Sequence, residues 1–372
     1  MKRLTLNELV EGFHQTGRWQ HPSHVTQEQK AKFSPLLPAL ERLHGNLDVH
    51  GSAAFVELAY FWAGKGVQGT VEEAQKGLEF LAQQAEEAAQ QGSQSGVVAG
   101  LLELRKPWRA AGDRGLSPYG AGEDFPSYGE FMLAAVSALQ ALPIEQRGRY
   151  LGLIKFAVET ELGTGSKFTE GGLRAVQEHG LDAVERYTRT GFEWLRGWGG
   201  SQKDAHHNSK VGKEVLQSLW YFIMEHKGTE DGTQRLKDYL VQLREVADYV
   251  EHNMFFWTAQ RKLTDGMFVP ENKMAVWQVF REISELAKRG ERIGYRLSEV
   301  VSSAADLAKV EKEGDAMRFA RALRENYLAT LARALESSNG KAEGLAGDLL
   351  DRRNAGTIVE RINDVAFWQS LS

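Results

Sequence analysis

Between residues 186 and 213 the sequence interleaves cations with aromatic rings. Arg186, Arg189, Arg196, Lys203, Lys210 and Lys213 alternate with Tyr187, Phe192, Trp194 and Trp198, and only Glu193 and Asp204 oppose them. Such a set suits a polyanion: cations neutralise phosphates, while exposed rings and guanidinium planes stack on bases. Arg186, Arg189, Trp194, Arg196, Trp198, Lys203, Lys210 and Lys213 are therefore the first candidate nucleic-acid contacts. The competing reading places Phe192 and Trp194 in a core and leaves the cations in solvent.

A second set lies near the C-terminus. Lys288, Arg292 and Arg296 recur every four residues, and Arg318, Arg321 and Arg324 every three. On helices each set forms a stripe, and two stripes would line a groove for a phosphate backbone. Glu282, Glu285, Glu299 and Glu325 are interspersed and could pair with them instead. Arg105, Lys106, Arg109 and Arg114 around Trp108 form a third, smaller patch.

Other chemistry finds less support. His206 and His207 beside Asp204, with His179, His226 and His252, offer imidazoles, but no His-Glu-x-x-His pair organises them for a metal. Gly163-Thr164-Gly165-Ser166-Lys167 resembles a phosphate loop only in part, because its second glycine is not followed by lysine. It reads as a helix–helix turn that would touch one phosphate at most. No Gly-x-Ser-x-Gly elbow supplies a hydrolase nucleophile. The expectation is a protein without catalytic residues, metal or cofactor.

The elements that must hold these residues are helices. Thr5 with Glu8 and Thr26 with Gln29 have capping-box spacing. Pro35 and Pro38 should stop or kink the second helix. Further helices are expected over 53–63, 71–91, 127–141, 144–162, 169–179, 181–196, 210–226 and 233–258, with breaks at 163–166 and after Gly197. Pro and Gly cluster from Lys106 to Tyr128. Helices at 273–289, 291–310, 315–337, 342–353 and 356–369 would close a C-terminal bundle. The expected class is all-α, with room for one short strand pair around 45–50 or 266–269. The expected division is an N-terminal helical region 1–115, a central region 116–270 carrying the basic aromatic patch, and a bundle 271–372.

Composition narrows the context. The chain has 372 residues, 42% hydrophobic content, a net charge of -5 and no cysteine. Disulfides, thiolate metal sites and cysteine nucleophiles are excluded. Nucleic-acid contact must come from local patches, because the whole chain is not basic. The N-terminus turns polar too soon for a signal peptide, and no run approaches the roughly 18 apolar residues of a membrane span. A cytoplasmic protein without membrane contact is expected.

Val279-Phe280-Arg281, Gly294-Tyr295-Arg296-Leu297, Phe319-Ala320-Arg321-Ala322-Leu323-Arg324 and Tyr327-Leu328-Ala329-Thr330-Leu331-Ala332-Arg333 together resemble the C-terminal helical bundle of large subunits of type I CRISPR surveillance complexes (Cascade). The resemblance is confined mainly to this bundle. It implies a non-catalytic subunit that binds guide RNA and target DNA beside other subunits of a ribonucleoprotein complex and recruits a separate nuclease. The chain lacks the paired cysteines that many such subunits carry, and no segment matches the family's reader of the short flanking DNA motif. Two other classes stay open: a helical enzyme with a buried metal or apolar-substrate site, and an adaptor that binds only protein.

Overall fold

The computed structural model describes residues 4–16, 27–64, 70–92, 96–107, 128–198, 210–252, 257–288, 301–336, 359–360 and 362–366. Every element among the described residues is a helix, so the protein is all-α. The strand pair allowed for by the sequence does not form. One helix runs to Asn46 and the next opens at Val49, while residues 267–269 are an irregular lead-in to a helix that begins at Pro270.

The chain divides into two compact units, residues 1–216 with 227–229, and residues 217–226 with 230–372. The division falls near 217–229 rather than at 270. The boundary expected at 115 lies outside the described residues.

The first unit begins with α1 (Leu6–Thr16), α2 (Gln27–Phe33) and α3 (Leu37–Asn46). The reciprocal cap at its start is present: Thr5 Oγ1 accepts from Glu8 N at 3.2 Å, and Thr5 N donates to the Glu8 carboxylate at 2.6 Å. Thr26, proposed to cap α2, lies outside the described residues. Pro35 and Pro38 act as expected, because a 3-10 turn over Ser34–Leu36 separates α2 from α3. α4 (Val49–Gly64) buries Phe55, Leu58, Ala59 and Trp62. α5 (Thr70–Gln90) keeps its Glu-rich face in water and buries Ala74, Leu78 and Leu81. α6 (Gly96–Glu103) is a short helix that the sequence reading left unassigned. α7 (Tyr128–Ala141) approaches α4 closely, where Trp62 Nε1 donates to the Gly129 carbonyl at 2.8 Å.

Three helices carry the first candidate site: α8 (Ile144–Thr160), α9 (Leu162–His179) and α10 (Leu181–Trp198). The break expected at 163–166 is absent. The chain bends at the extended Glu161 alone, and α9 runs straight through Gly163 and Gly165. The reason is proximity: a Cβ on Gly165 would fall 2.4 Å from the Ala157 carbonyl carbon and the Val158 nitrogen. The glycines allow backbone to touch backbone at the α8–α9 corner, so here they mark tight packing. Likewise Gly197 belongs to α10 rather than to a loop. α11 (Lys210–Glu225) begins in the first unit.

The second unit contains α12 (Glu230–His252), α13 (Trp257–Thr264), α14 (Pro270–Lys288), helical residues 301–307, α15 (Glu313–Ala322) and α16 (Ala329–Glu336). A π-helical stretch over Leu323–Leu328 joins α15 to α16. Its core gathers Val276, Phe280, Ile283, Phe319, Leu323, Leu331 and Ile362. Leu263 and Met267 belong to that core and Tyr249 packs against it, so it reaches back before the expected boundary at 271.

Candidate nucleic-acid interface

α10 is strongly two-faced. Leu181, Val184, Tyr187, Phe192, Leu195 and Trp198 are buried, and Asp182, Arg189, Glu193 and Arg196 are exposed. Arg189 and Arg196 converge on one ring. Their guanidinium carbons lie 5.5 and 4.8 Å from the centroid of Phe156 on α8. Cation–π contacts of this exposed kind contribute about 0.5–1 kcal/mol each. Phe156 and Thr160 were not singled out in the sequence, because their link to α10 spans residues far apart along the chain. Arg196 Nη2 donates to Thr160 Oγ1 at 3.2 Å and meets no carboxylate among the described residues.

Its neighbours are neutralised from within. Arg189 bonds to Glu185 at 2.9 Å. Arg149 bridges Glu185 at 2.6 Å and Asp182 at 2.7 Å. The hydrogen bond from Arg149 is the main reason the Glu185 carboxyl is held below the usual carboxylate range, with Arg189 adding to it. Glu185 lies one residue outside the stretch that looked basic.

The remaining members of the first set are dispersed. Arg186 donates to the Gly228 carbonyl at 2.9 Å and Tyr187 to the Thr229 carbonyl at 2.9 Å, so both tether α10 to the 227–229 turn. Trp198 is buried and offers no exposed stacking face, Phe192 packs edge-on against Phe168 with centroids 6.0 Å apart, and Trp194 is half-buried. Lys210 and Lys213 are half-buried members of α11. Lys203 lies outside the described residues.

The C-terminal stripes divide similarly. Arg318 bonds to Asp315 at 3.0 Å, and Arg324 reaches across to Glu282 on α14. Arg321 is exposed and has no partner among the described residues. Arg324 falls within the π-helical stretch, whose wider turns shift it from the register of the other two. The Lys288 side chain, Arg292 and Arg296 lie outside the described residues. In the third patch Arg105 is paired with Glu57, and Trp108, Arg109 and Arg114 lie outside the described residues.

The partial phosphate-loop match has a structural meaning. Glu161 is buried, and its carboxylate accepts from Thr164 Oγ1 at 2.6 Å. A Cβ on Gly212, in the first turn of α11, would lie 1.9 Å from Glu161 Oε2. The anion at this helix N-terminus is thus the protein's own carboxylate, which favours the positive end of the helix dipole.

Among the described residues the histidines stand apart from one another. His179 lies 3.8 Å from Glu178, while His226 stacks on Phe222 and lies 3.9 Å from Asp231. No three metal-ligating side chains come together among the described residues. Asp204, His206, His207 and the His252 side chain lie outside them. Burial pushes the Tyr150, Tyr249 and Tyr327 phenols well up, so they stay neutral in the core. Among the described residues no helix is long and apolar enough to cross a membrane.

No model of a known protein family matches the chain, and no curated protein or solved structure does so either.

Proposed function

We propose that the chain is a non-catalytic subunit that holds a nucleic-acid strand, RNA or DNA, within a larger ribonucleoprotein complex. This is the role implied by the resemblance of its C-terminal bundle to large subunits of type I CRISPR surveillance complexes. The observation that carries the proposal is Arg196. Its guanidinium is exposed, is backed by the Phe156 ring, spends one donor on a hydroxyl and meets no carboxylate among the described residues. A planar fork with five donors and an uncompensated charge suits a phosphate, and the ring beside it suits a base. Arg321 offers a second uncompensated cation in the other unit. Two such contacts predict a modest affinity that falls with salt at a shallow slope, in proportion to the phosphates neutralised.

The test is binding of labelled single-stranded RNA and DNA to the full chain across a salt series. Wild type should bind, and Arg196→Ala with Arg321→Ala should weaken binding about tenfold and flatten the salt slope. Absence of salt-dependent binding by wild type would retire the reading in favour of a protein-only adaptor.

A further inference from the structure

The second unit carries a surface of the opposite character. Phe268 stands on the turn before α14 and is 78% exposed, the most exposed large hydrophobic side chain among the described residues. A loose turn would let the ring fold back onto the protein. Here the turn is fixed: Glu313 accepts from Phe268 N at 3.4 Å and from Asn272 Nδ2 at 2.5 Å. The start of α14 is held in turn to α11, where Lys273 Nζ donates to Gln217 Oε1 at 2.7 Å, one helical turn before Tyr221. Tyr221 is half-exposed, and Met224 on the same side of α11 is 44% exposed.

Carboxylates predominate around Tyr221, with the Lys273 ammonium and Arg235 as cations nearby. Desolvation first, then Glu271, Glu225 and Glu313, push the Tyr221 phenol up, so all three carboxylates lie within electrostatic reach of its ring. Glu225 and Glu271 are exposed and have no hydrogen-bonding or ion-pair partner among the described residues. Among the described residues Glu313 bonds only to the amides already named. Arg235, the cation that feels Glu271, is held by Asp231 at 3.0 Å.

We infer that Phe268, Tyr221 and Met224, rimmed by Glu225, Glu271 and Glu313, form a docking surface for a basic, arginine-bearing segment of a partner protein. A cation stacked on an aromatic face and bonded to a carboxylate satisfies both halves of the patch at once. Charge complementarity selects this occupant, because a nucleic-acid strand or an acidic helix would be repelled here. The inference stands apart from the strand-binding proposal and uses none of its residues.

The test is fluorescence anisotropy of the full chain with a labelled peptide of alternating arginine and leucine. A peptide of alternating glutamate and leucine supplies equal apolar content. Phe268→Ala should weaken the basic peptide about tenfold at every salt concentration, as expected for a central aromatic anchor. Glu225→Gln with Glu271→Gln should weaken it about three- to fivefold at low salt and flatten its salt dependence. Glu72→Gln with Glu73→Gln, an equal charge change on the exposed face of α5, should change nothing. All of these replace exposed side chains, so folding is preserved. Equal binding of the acidic peptide, or equal loss in the α5 control, would overturn the inference. Dimerisation of wild type that Phe268→Ala abolishes would overturn it in favour of a second copy of the chain.

Discussion

The α8–α10 face and the Tyr221 corner differ in how their charge is balanced. On α8 and α10 two arginines meet carboxylates of their own unit: Arg189, singled out in the sequence, takes Glu185, and Arg149, which was not, takes Asp182 and Glu185. Around Tyr221 the carboxylates Glu225 and Glu271 form no ion pair among the described residues, although Arg235 lies within electrostatic reach of Glu271. A partner responds to uncompensated charge rather than to the number of charged residues. The face that looks strongly cationic in one dimension therefore offers, among the described residues, one clear uncompensated cation, Arg196. The Tyr221 corner carries two exposed carboxylates without an ion pair among those residues.

The comparison is broken most completely by separating the regions. A fragment beginning at Gln217 keeps α12, Leu263 and Tyr249, and should unfold cooperatively while retaining the Tyr221 corner. A fragment beginning at Met267, where the sequence placed a module, loses the buried Leu263 and the packing of Tyr249. It should be less stable by on the order of 5 kcal/mol, comparable with the whole stability of a small domain. Urea titration followed by circular dichroism distinguishes them, and equal midpoints would restore the boundary near 270.

The helices themselves were readable from the sequence. α5, α7, α8, α10, α11 and α14 lie where apolar periodicity put them, and the Thr5–Glu8 cap and the Pro35 break formed as expected. What stayed hidden was pairing between distant residues. Arg149 with Asp182 and Arg324 with Glu282 are ion pairs across helices, and no local spacing announces them. The α8–α9 corner was misread for a related reason. Gly163 and Gly165 look like a loop until the backbone of Ala157 is known to lie against Gly165. The Arg189–Glu185 pair, in contrast, has ordinary i, i+4 spacing and was visible in the sequence.

Two substitutions should damage the α8–α10 face while sparing the Tyr221 corner. Gly165→Ala forces a methyl group into the Ala157–Val158 backbone and should cost about 3 kcal/mol or more, read by chemical denaturation. Glu161→Ala removes the anion from the first turn of α11 and leaves Thr164 without its acceptor. The expected loss is about 2 kcal/mol, with Glu161→Gln intermediate because it keeps an acceptor but no charge. A Gly165→Ala protein with unchanged stability would mean that α8 and α9 do not meet so closely.

Glu185→Gln sharpens the comparison with the least disturbance. Glu185 is held below its unfolded pKa by Arg149 and Arg189, so it stabilises the fold above the unfolded value. That contribution is lost as pH falls through the lower folded value. Since the pair is largely solvent-screened, the substitution should cost about 0.5 kcal/mol or less near neutral pH and nothing in acid. It should also release Arg149 and Arg189 from their shared carboxylate and raise strand affinity about twofold. A fall in affinity would show that Glu185 orients these cations rather than neutralising them.

The central claim, that uncompensated arginine gives this protein its hold on a nucleic-acid strand, is tested most directly by one salt series. Labelled single-stranded RNA is titrated with the full chain, wild type and Arg196→Ala with Arg321→Ala, and log affinity is plotted against log salt. The account predicts a linear fall for wild type and a shallower line for the variant, with the gap widest at low salt. Two coincident lines from folded proteins, or no binding by wild type at low salt, would contradict it.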